Sequence, residues 1–345
     1  MAIKGWGAPE VADLYTRALE LCRQAGETAQ LFPALEGLAV FYFTRGEFHV
    51  ARELGEQMLG IAQNVQDSSL LLEAHHLLGN VWAGLGDFSL ARRHLEYGIS
   101  LYDPHQHRNH AFRYGGHDPG VCCQSLNALV LWILGYPERA GEEINSALAL
   151  ARDLAHPVSS ALALWLAAQF HLMCKDNPAA QQPAQELLLL AEQQQMPYFS
   201  AIGTILLQRA LLTQERQQEG ITQIREGLGV QRAVGAEVTR TYFLSLLAEA
   251  LGLAEQTDEA LATVEEAVLT VWKGEEHSYE AELYRLKGEL TLQQANQKSK
   301  GKRQKKLSVV SSQLSVPNPQ PLTPSTQAEA EAEACFHKAI DIAQR

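Results

Sequence analysis

An all-α solenoid, wound as a right-handed superhelix of antiparallel helix pairs repeating about every 40 residues, is predicted by three observations. Strong helix formers (Leu, Ala, Glu, Gln) dominate the sequence, and no stretch shows the alternation of β-branched residues that marks a strand. A small residue recurs at Ala51, Ala91, Ala140, Ala180, Gly220 and Ala260, with steps of 40, 49, 40, 40 and 40. Turn-forming residues fall in phase with that series: Gly46-Glu47, Gly86-Asp87, Gly135-Tyr136-Pro137 and Asp176-Asn177-Pro178 before the small residue, and His156-Pro157 and Met196-Pro197 between pairs.

Each pair comprises a helix A, a short turn and a helix B opening near the small residue. Four positions after it stand Gly55, Leu95, Ile144, Ala184, Ile224 and Val264, and seven after it Met58, Gly98, Ala147, Leu187, Gly227 and Ala267. Nine before it stand Tyr42, Trp82, Leu131, His171, Leu211 and Leu251. Such offsets place each set on one helical face, where small residues let helices approach and bulky ones fill the gaps between pairs. The clearest unit, HLLGNVWAGLGDFSL-A ending at Ala91, is similar to the tetratricopeptide motif. That motif repeats about every 34 residues, so these helices are longer by nearly a turn.

Stepping back 40 residues from Ala51 reaches Val11, so the chain is expected to open with a lone helix B at about 9–25. A helix A over 279–293 lacks its small residue near 300; it arrives at Ala332, followed in phase by Phe336 and Ala339. The expected organisation is a solenoid over 1–297, an insert at 298–325 that is basic, then Ser/Gln-rich, then Pro-rich, and a final helix B at 326–345. Such a stretch cannot bury enough to offset its ordering entropy and is expected to be disordered.

The formal net charge is −12, and six of the 28 basic residues crowd into 298–306. Without that run the balance is 22 basic against 40 acidic residues, a surface that repels phosphate backbones and speaks against nucleic acid as a partner. Five cysteines form no CxxC pair, the N-terminal residues include no apolar signal core, and the longest apolar run, 161–168, is far short of a membrane span. A cytoplasmic protein without membrane partners is expected.

Several segments resemble one family. They are Gly5-Trp6-Gly7-Ala8-Pro9-Glu10-Val11, LYDPHQHRNHAFRYGGHDPGV (101–121), AIGTIL (201–206), YFLSLLAEALG (242–252), YEAELYRLKGEL (279–290) and AEACFHKAIDIA (332–343). Together they are similar to the C-terminal helical-repeat region of bacterial signalling proteins in which a class III adenylate/guanylate cyclase or kinase domain precedes a signal-transduction ATPase. The resemblance implies a sensor or scaffold for such a system, with a cyclase or ATPase module as a possible partner. No G-x-x-x-x-G-K-[ST] loop is present, so the ATPase itself is not expected here, and the chain is expected to be a detached sensor portion.

The 49-residue step carries nine additional residues around His105, His107, His110, Arg113, His117 and Asp118, followed by Cys122 and Cys123. Histidines and thiols are metal ligands, yet their spacing matches no recognised metal motif, so a solvated connection with no bound metal is expected. The acidic pairs Glu142-Glu143, Glu265-Glu266 and Glu275-Glu276 point to different helix faces, and no nucleophile elbow is present. Neither an enzyme nor a cofactor is expected.

Binding is expected in the concave groove, lined by helix A positions fifteen and eleven before the small residue. These are Glu36 and Val40, His76 and Asn80, Ser125 and Leu129, Trp165 and Gln169, Ile205 and Arg209, Ser245 and Glu249. Trp165, Gln169 and Arg209 offer an aromatic surface, an amide and a cation along one wall, suited to a protein or peptide segment. The alternative is a small-molecule sensor, as in ATP-dependent transcription activators with a similar solenoid. Groove width discriminates: a closed turn with an apolar pocket favours a small ligand, an open channel a peptide.

Overall fold

The computed structural model describes residues 7, 9–25, 28–213, 215–310 and 326–344. Among them the secondary structure is helical, with no strand. Helix α1 (Pro9–Ala25) stands alone before the first pair, α2 (Thr28–Thr44) and α3 (Phe48–Val65). Next come α4 (Ser68–Gly84) with α5 (Phe88–Leu101), and the single turn α6 (His110–Arg113). The remaining pairs are α7 (Pro119–Ile133) with α8 (Pro137–Leu154), α9 (Pro157–Met173) with α10 (Asn177–Gln193), and α11 (Pro197–Ala210) with α12 (Gln217–Ala233). Two more, α13 (Arg240–Leu253) with α14 (Thr257–Gly274) and α15 (Glu280–Val310) with α16 (Thr326–Ala343), complete a tetratricopeptide-like solenoid. Helix α15 continues through the basic run expected to lack structure, and 311–325 lie outside the described residues. Basic residues are good helix formers, and a helix already nucleated in α15 needs only propagation to continue.

The small residue of the repeat opens every helix B from α3 onward. Ala51, Ala91, Ala140, Ala180 and Ala260 are fully buried, Gly220 is buried, and Ala332 plays this part in α16. Helix starts are fixed by side chains accepting free amides: Asp67 at α4, Asp87 at α5, Asp118 at α7, His156 at α9 and Asp176 at α10. Five positions before the small residue the backbone turns left-handed, at Gly46, Gly86, Gly135, Lys175 and Glu255. A second left-handed position, at Ala155, Gln195, Gly235 and Glu275, recurs at 40-residue intervals and starts the return from helix B to the next helix A.

The superhelix closes on itself. The Glu237 and Val238 amides donate to the Thr44 carbonyl at the end of α2 (2.9 and 3.1 Å), and the His277 and Ser278 amides donate to the Gly84 carbonyl at the end of α4 (2.9 and 3.2 Å). All three pairs of equivalent positions are 40 residues apart, so two successive repeats grip two successive inter-repeat loops in the same way. The carbonyls at the end of a helix have no partner within it, and here the far side of the molecule supplies one. Gly7 also packs against Gly235, and His49 faces Glu275 at 3.4 Å.

A Cβ at Gly86, where φ is +83°, would lie 3.1 Å from the His277 Cβ and 3.3 Å from its carbonyl oxygen. Gly135 has φ +84° with nothing within 4 Å. Gly135→Ala is expected to cost about 1–2 kcal/mol through the left-handed backbone alone. Gly86→Ala should cost measurably more in urea titrations, and that excess reports the closure.

Candidate functional site

Closure converts the concave face into an interior. The helices α2, α4, α7, α9, α11 and α13, with the loop that leads into α15, surround a cavity of about 180 Å³ whose wall is largely apolar, with Leu77, Leu126, Leu129, Val130, Leu162, Leu166 and Phe199 among its residues. Phe88, Ile133, Met173, Tyr242, Ser278 and Tyr279 line this inner cavity and also an outer chamber of about 880 Å³. The outer chamber is charged and is bordered by the exposed Trp272.

Val40, His76, Asn80, Leu129, Trp165 and Gln169 line the inner cavity, while Arg209, Ser245 and Glu249 line the outer chamber. Glu36, Ser125 and Ile205 are buried in the wall behind, and Glu36 accepts the Gly115 amide at 3.0 Å. Two details differ from the sequence reading. Trp165 is no free-standing surface; it is 7% exposed, stacks on Phe243 at 6.3 Å and meets Phe199 edge-on within the largest apolar core. Arg209 is no free cation. It grips Glu249, its equivalent one repeat on, through Nε (3.1 Å) and Nη2 (2.6 Å), and Lys175 completes the group at 2.9 Å from Glu249. Burial raises the Glu249 carboxyl, but Arg209 and Lys175 outweigh it and hold the group below its usual range.

The inner wall leaves polar atoms unsatisfied. Trp165 Nε1 and the Tyr242 hydroxyl are buried without a hydrogen-bond partner, and the neighbouring Gln169 Oε1 and Tyr279 hydroxyl do not meet in a hydrogen bond of normal geometry. Such groups cost about 1–3 kcal/mol each when left unpaired, so their presence calls for an explanation. On the same wall, Glu276 accepts the Thr239 amide (2.8 Å), the Thr241 amide (3.3 Å) and the Thr241 hydroxyl (2.8 Å). Burial lifts its carboxyl to about 7 despite these bonds.

The connection 102–118 does not lie in solvent as expected but folds inward over α2 and α4. His107, His110 and Asp118 are buried, and Tyr114 packs edge-on against Phe32. The buried Glu73 joins two histidines, with His110 Nδ1 at 2.6 Å and His76 Nδ1 at 3.2 Å. Burial raises the Glu73 carboxyl, but these two hydrogen bonds outweigh it and bring the group down to about 2. His117 Nε2 lies 3.1 Å from His76 Nε2, with the Cys122 thiol beside both. Burial raises this thiol, but the two imidazoles outweigh it and lower the thiol to about 5, whereas burial drives Cys123 well above its usual value. Sequence spacing missed this group because its members come from α4, the inter-repeat connection and α7. The nine-residue excess was the one available signal.

No family model matches the chain. An uncharacterized protein of Rhizobium meliloti (strain 1021) is 25% identical over 277 residues, covering 79% of this chain and 26% of that relative. The chain thus spans about a quarter of the length of the relative it matches. Among solved structures, a Rap protein complexed with Competence and Sporulation Factor matches 77% of this chain and 76% of its own at 13% identity, with a TM-score of 0.51. That likeness shows the fold: the chain is a tetratricopeptide-like helical repeat protein. A looser likeness, TM-score 0.45 at 12% identity over 97% of this chain and 53% of the other, is to a Signal Transduction ATPase with Numerous Domains carrying a tetratricopeptide repeat sensor, from Pyrococcus horikoshii. No helix of the structure is long and apolar enough to cross a membrane among the described residues.

Trp165→Ala is expected to destabilise the fold by about 3–5 kcal/mol, the cost of emptying a large core site. Chemical denaturation checks this, with Trp165→Phe losing far less. Glu276 binds its proton more tightly in the folded state than in the unfolded chain. Its contribution is therefore fully present below the ordinary value of 4.5 and is lost as the pH rises through about 7. Compared with Glu276→Gln, the wild type should lose thermal stability between pH 4.5 and 7, the opposite of the usual carboxylate trend.

Proposed function

We propose that this chain is a non-catalytic, effector-sensing scaffold whose interior cavity takes a metabolite-sized ligand with an apolar body and at least one hydrogen-bond acceptor. One observation carries this reading: an apolar interior cavity with buried polar atoms that no protein group satisfies. Trp165 Nε1 can only donate, which sets the ligand's acceptor; the Tyr242 hydroxyl can donate or accept. A cavity of 180 Å³ is below the ~300–1,000 Å³ of drug-sized sites, which limits the ligand to small molecules. Closure of the superhelix also favours a small ligand over an extended peptide.

The outer chamber supports a second reading. Its 880 Å³, its charged wall and the exposed Trp272 suit a segment of a protein partner, whose seating would report the state of the inner cavity. The segments quoted above support placing the chain in a cyclase- or kinase-linked ATPase signalling system, with the solenoid as its sensor portion. A cytoplasmic location accords with that role.

The test begins with native mass spectrometry of the purified chain to identify the bound small molecule, followed by titration of the emptied protein. Trp165→Phe, which keeps the aromatic core and removes the donor, should weaken binding about tenfold or more. Val158→Phe, which fills the cavity, should abolish it, and Lys175→Ala in the outer chamber should leave it unchanged. Binding lost in Lys175→Ala but kept in Val158→Phe would move the effector to the outer chamber.

A further inference from the structure

The cluster at the end of the cavity next to α4 and α7 has the composition of a metal site. The donor atoms of His76, His117 and Cys122 all lie within 4.8 Å of one another. His76 donates its Nδ1 proton to Glu73, whose second oxygen is held by His110, so the Nε2 lone pair of His76 is turned towards His117 and Cys122. A carboxylate orienting a histidine in this way is the usual outer shell of a metal-bound imidazole. Two Nε2 atoms bound to one tetrahedral zinc at about 2.0–2.1 Å stand about 3.3 Å apart. Here they stand 3.1 Å apart, facing each other. The thiolate must close on this pair. His117 is half-buried in a connection rather than a helix, which leaves room for that adjustment.

We propose that His76, His117 and Cys122 bind one divalent transition metal of the zinc class, with the fourth coordination position open to the interior cavity. Two imidazoles and a thiolate exclude magnesium and calcium, which prefer oxygen ligands. Three protein ligands rather than four leave a position for water or a ligand atom. All three residues, and Asn80 with its Nδ2 3.6 Å from the Cys122 sulfur, line the cavity wall, so that position faces the cavity. The expectation of a connection without metal rested on local spacing and is replaced by this proposal. The proposal does not depend on the effector reading, since the metal alone is the probe.

The test is titration of the metal-stripped full chain with cobalt(II). One equivalent should produce a near-ultraviolet thiolate-to-cobalt charge-transfer band and the strong visible bands of four-coordinate cobalt, and zinc should displace both. Cys122→Ser should abolish the charge-transfer band, and Glu73→Gln should weaken binding roughly 10–100-fold, as loss of an outer-shell partner does. His117→Ala, outside the helices, should weaken it at least as much with the circular dichroism spectrum unchanged, which covers the case in which Cys122→Ser fails to fold. Absence of a charge-transfer band in the wild type at saturating cobalt overturns the proposal. So does a band that persists in Cys122→Ser, or full affinity in His117→Ala.

Discussion

Four backbone amides donating to two helix-end carbonyls hold this solenoid shut. A row of helix pairs ordinarily touches only its neighbours, and its stability is a sum of local terms. Here Thr44 and Gly84 reach across the turn to 237–238 and 277–278. The same hydrogen-bond pair is used twice at a 40-residue offset, so closure requires the repeat to stay in phase over nearly 200 residues. The left-handed residues Gly46 and Gly86 end helices A so that these carbonyls remain free, and Gly235 and Glu275 turn the loops that meet them.

The effector reading depends on that closure. The faces of six helices A that an open solenoid would expose become the wall of a cavity, which explains why most of the inward positions are buried rather than lining a broad groove. The inner wall is apolar with a few polar atoms unpaired, while the outer chamber is crossed by ion pairs such as Arg209 with Glu249. The 102–118 connection plugs the side of the cavity near α2 and α4, bringing buried histidines beside Glu73 and Cys122. Apolar chamber, ion-pair ladder and histidine cluster therefore share one interior.

Much of the repeat was legible in the sequence, since close helix packing demands small residues at fixed intervals and Ala51, Ala91, Ala140, Ala180, Gly220 and Ala260 display them. The inward register of Val40, His76, Asn80, Trp165 and Gln169 follows from helical geometry alone. Closure left no comparable trace, because backbone amides and carbonyls belong to every residue type. Helical register alone places Trp165 and Arg209 along one groove wall, whereas closure packs Trp165 into the core and lets Arg209 pair with Glu249. The histidine cluster was invisible for a different reason: His76 lies on α4, while His117 precedes α7, and only the inward fold of the connection joins them. The basic run 298–306 was judged by composition, whereas helix propagation from α15 depends on what precedes it.

Engineered cross-linking tests the closure most directly. A Cβ at Gly46 would lie 3.6 Å from the Glu237 Cβ, within the range of about 3.5–4.5 Å for disulfide partners. The account predicts that Gly46→Cys/Glu237→Cys, mildly oxidised as a folded monomer, forms a disulfide between positions 46 and 237, identified by peptide mass mapping, with helicity retained. Two thiols that stay unpaired in the folded, monomeric variant would contradict it, leaving an open solenoid without the interior cavity.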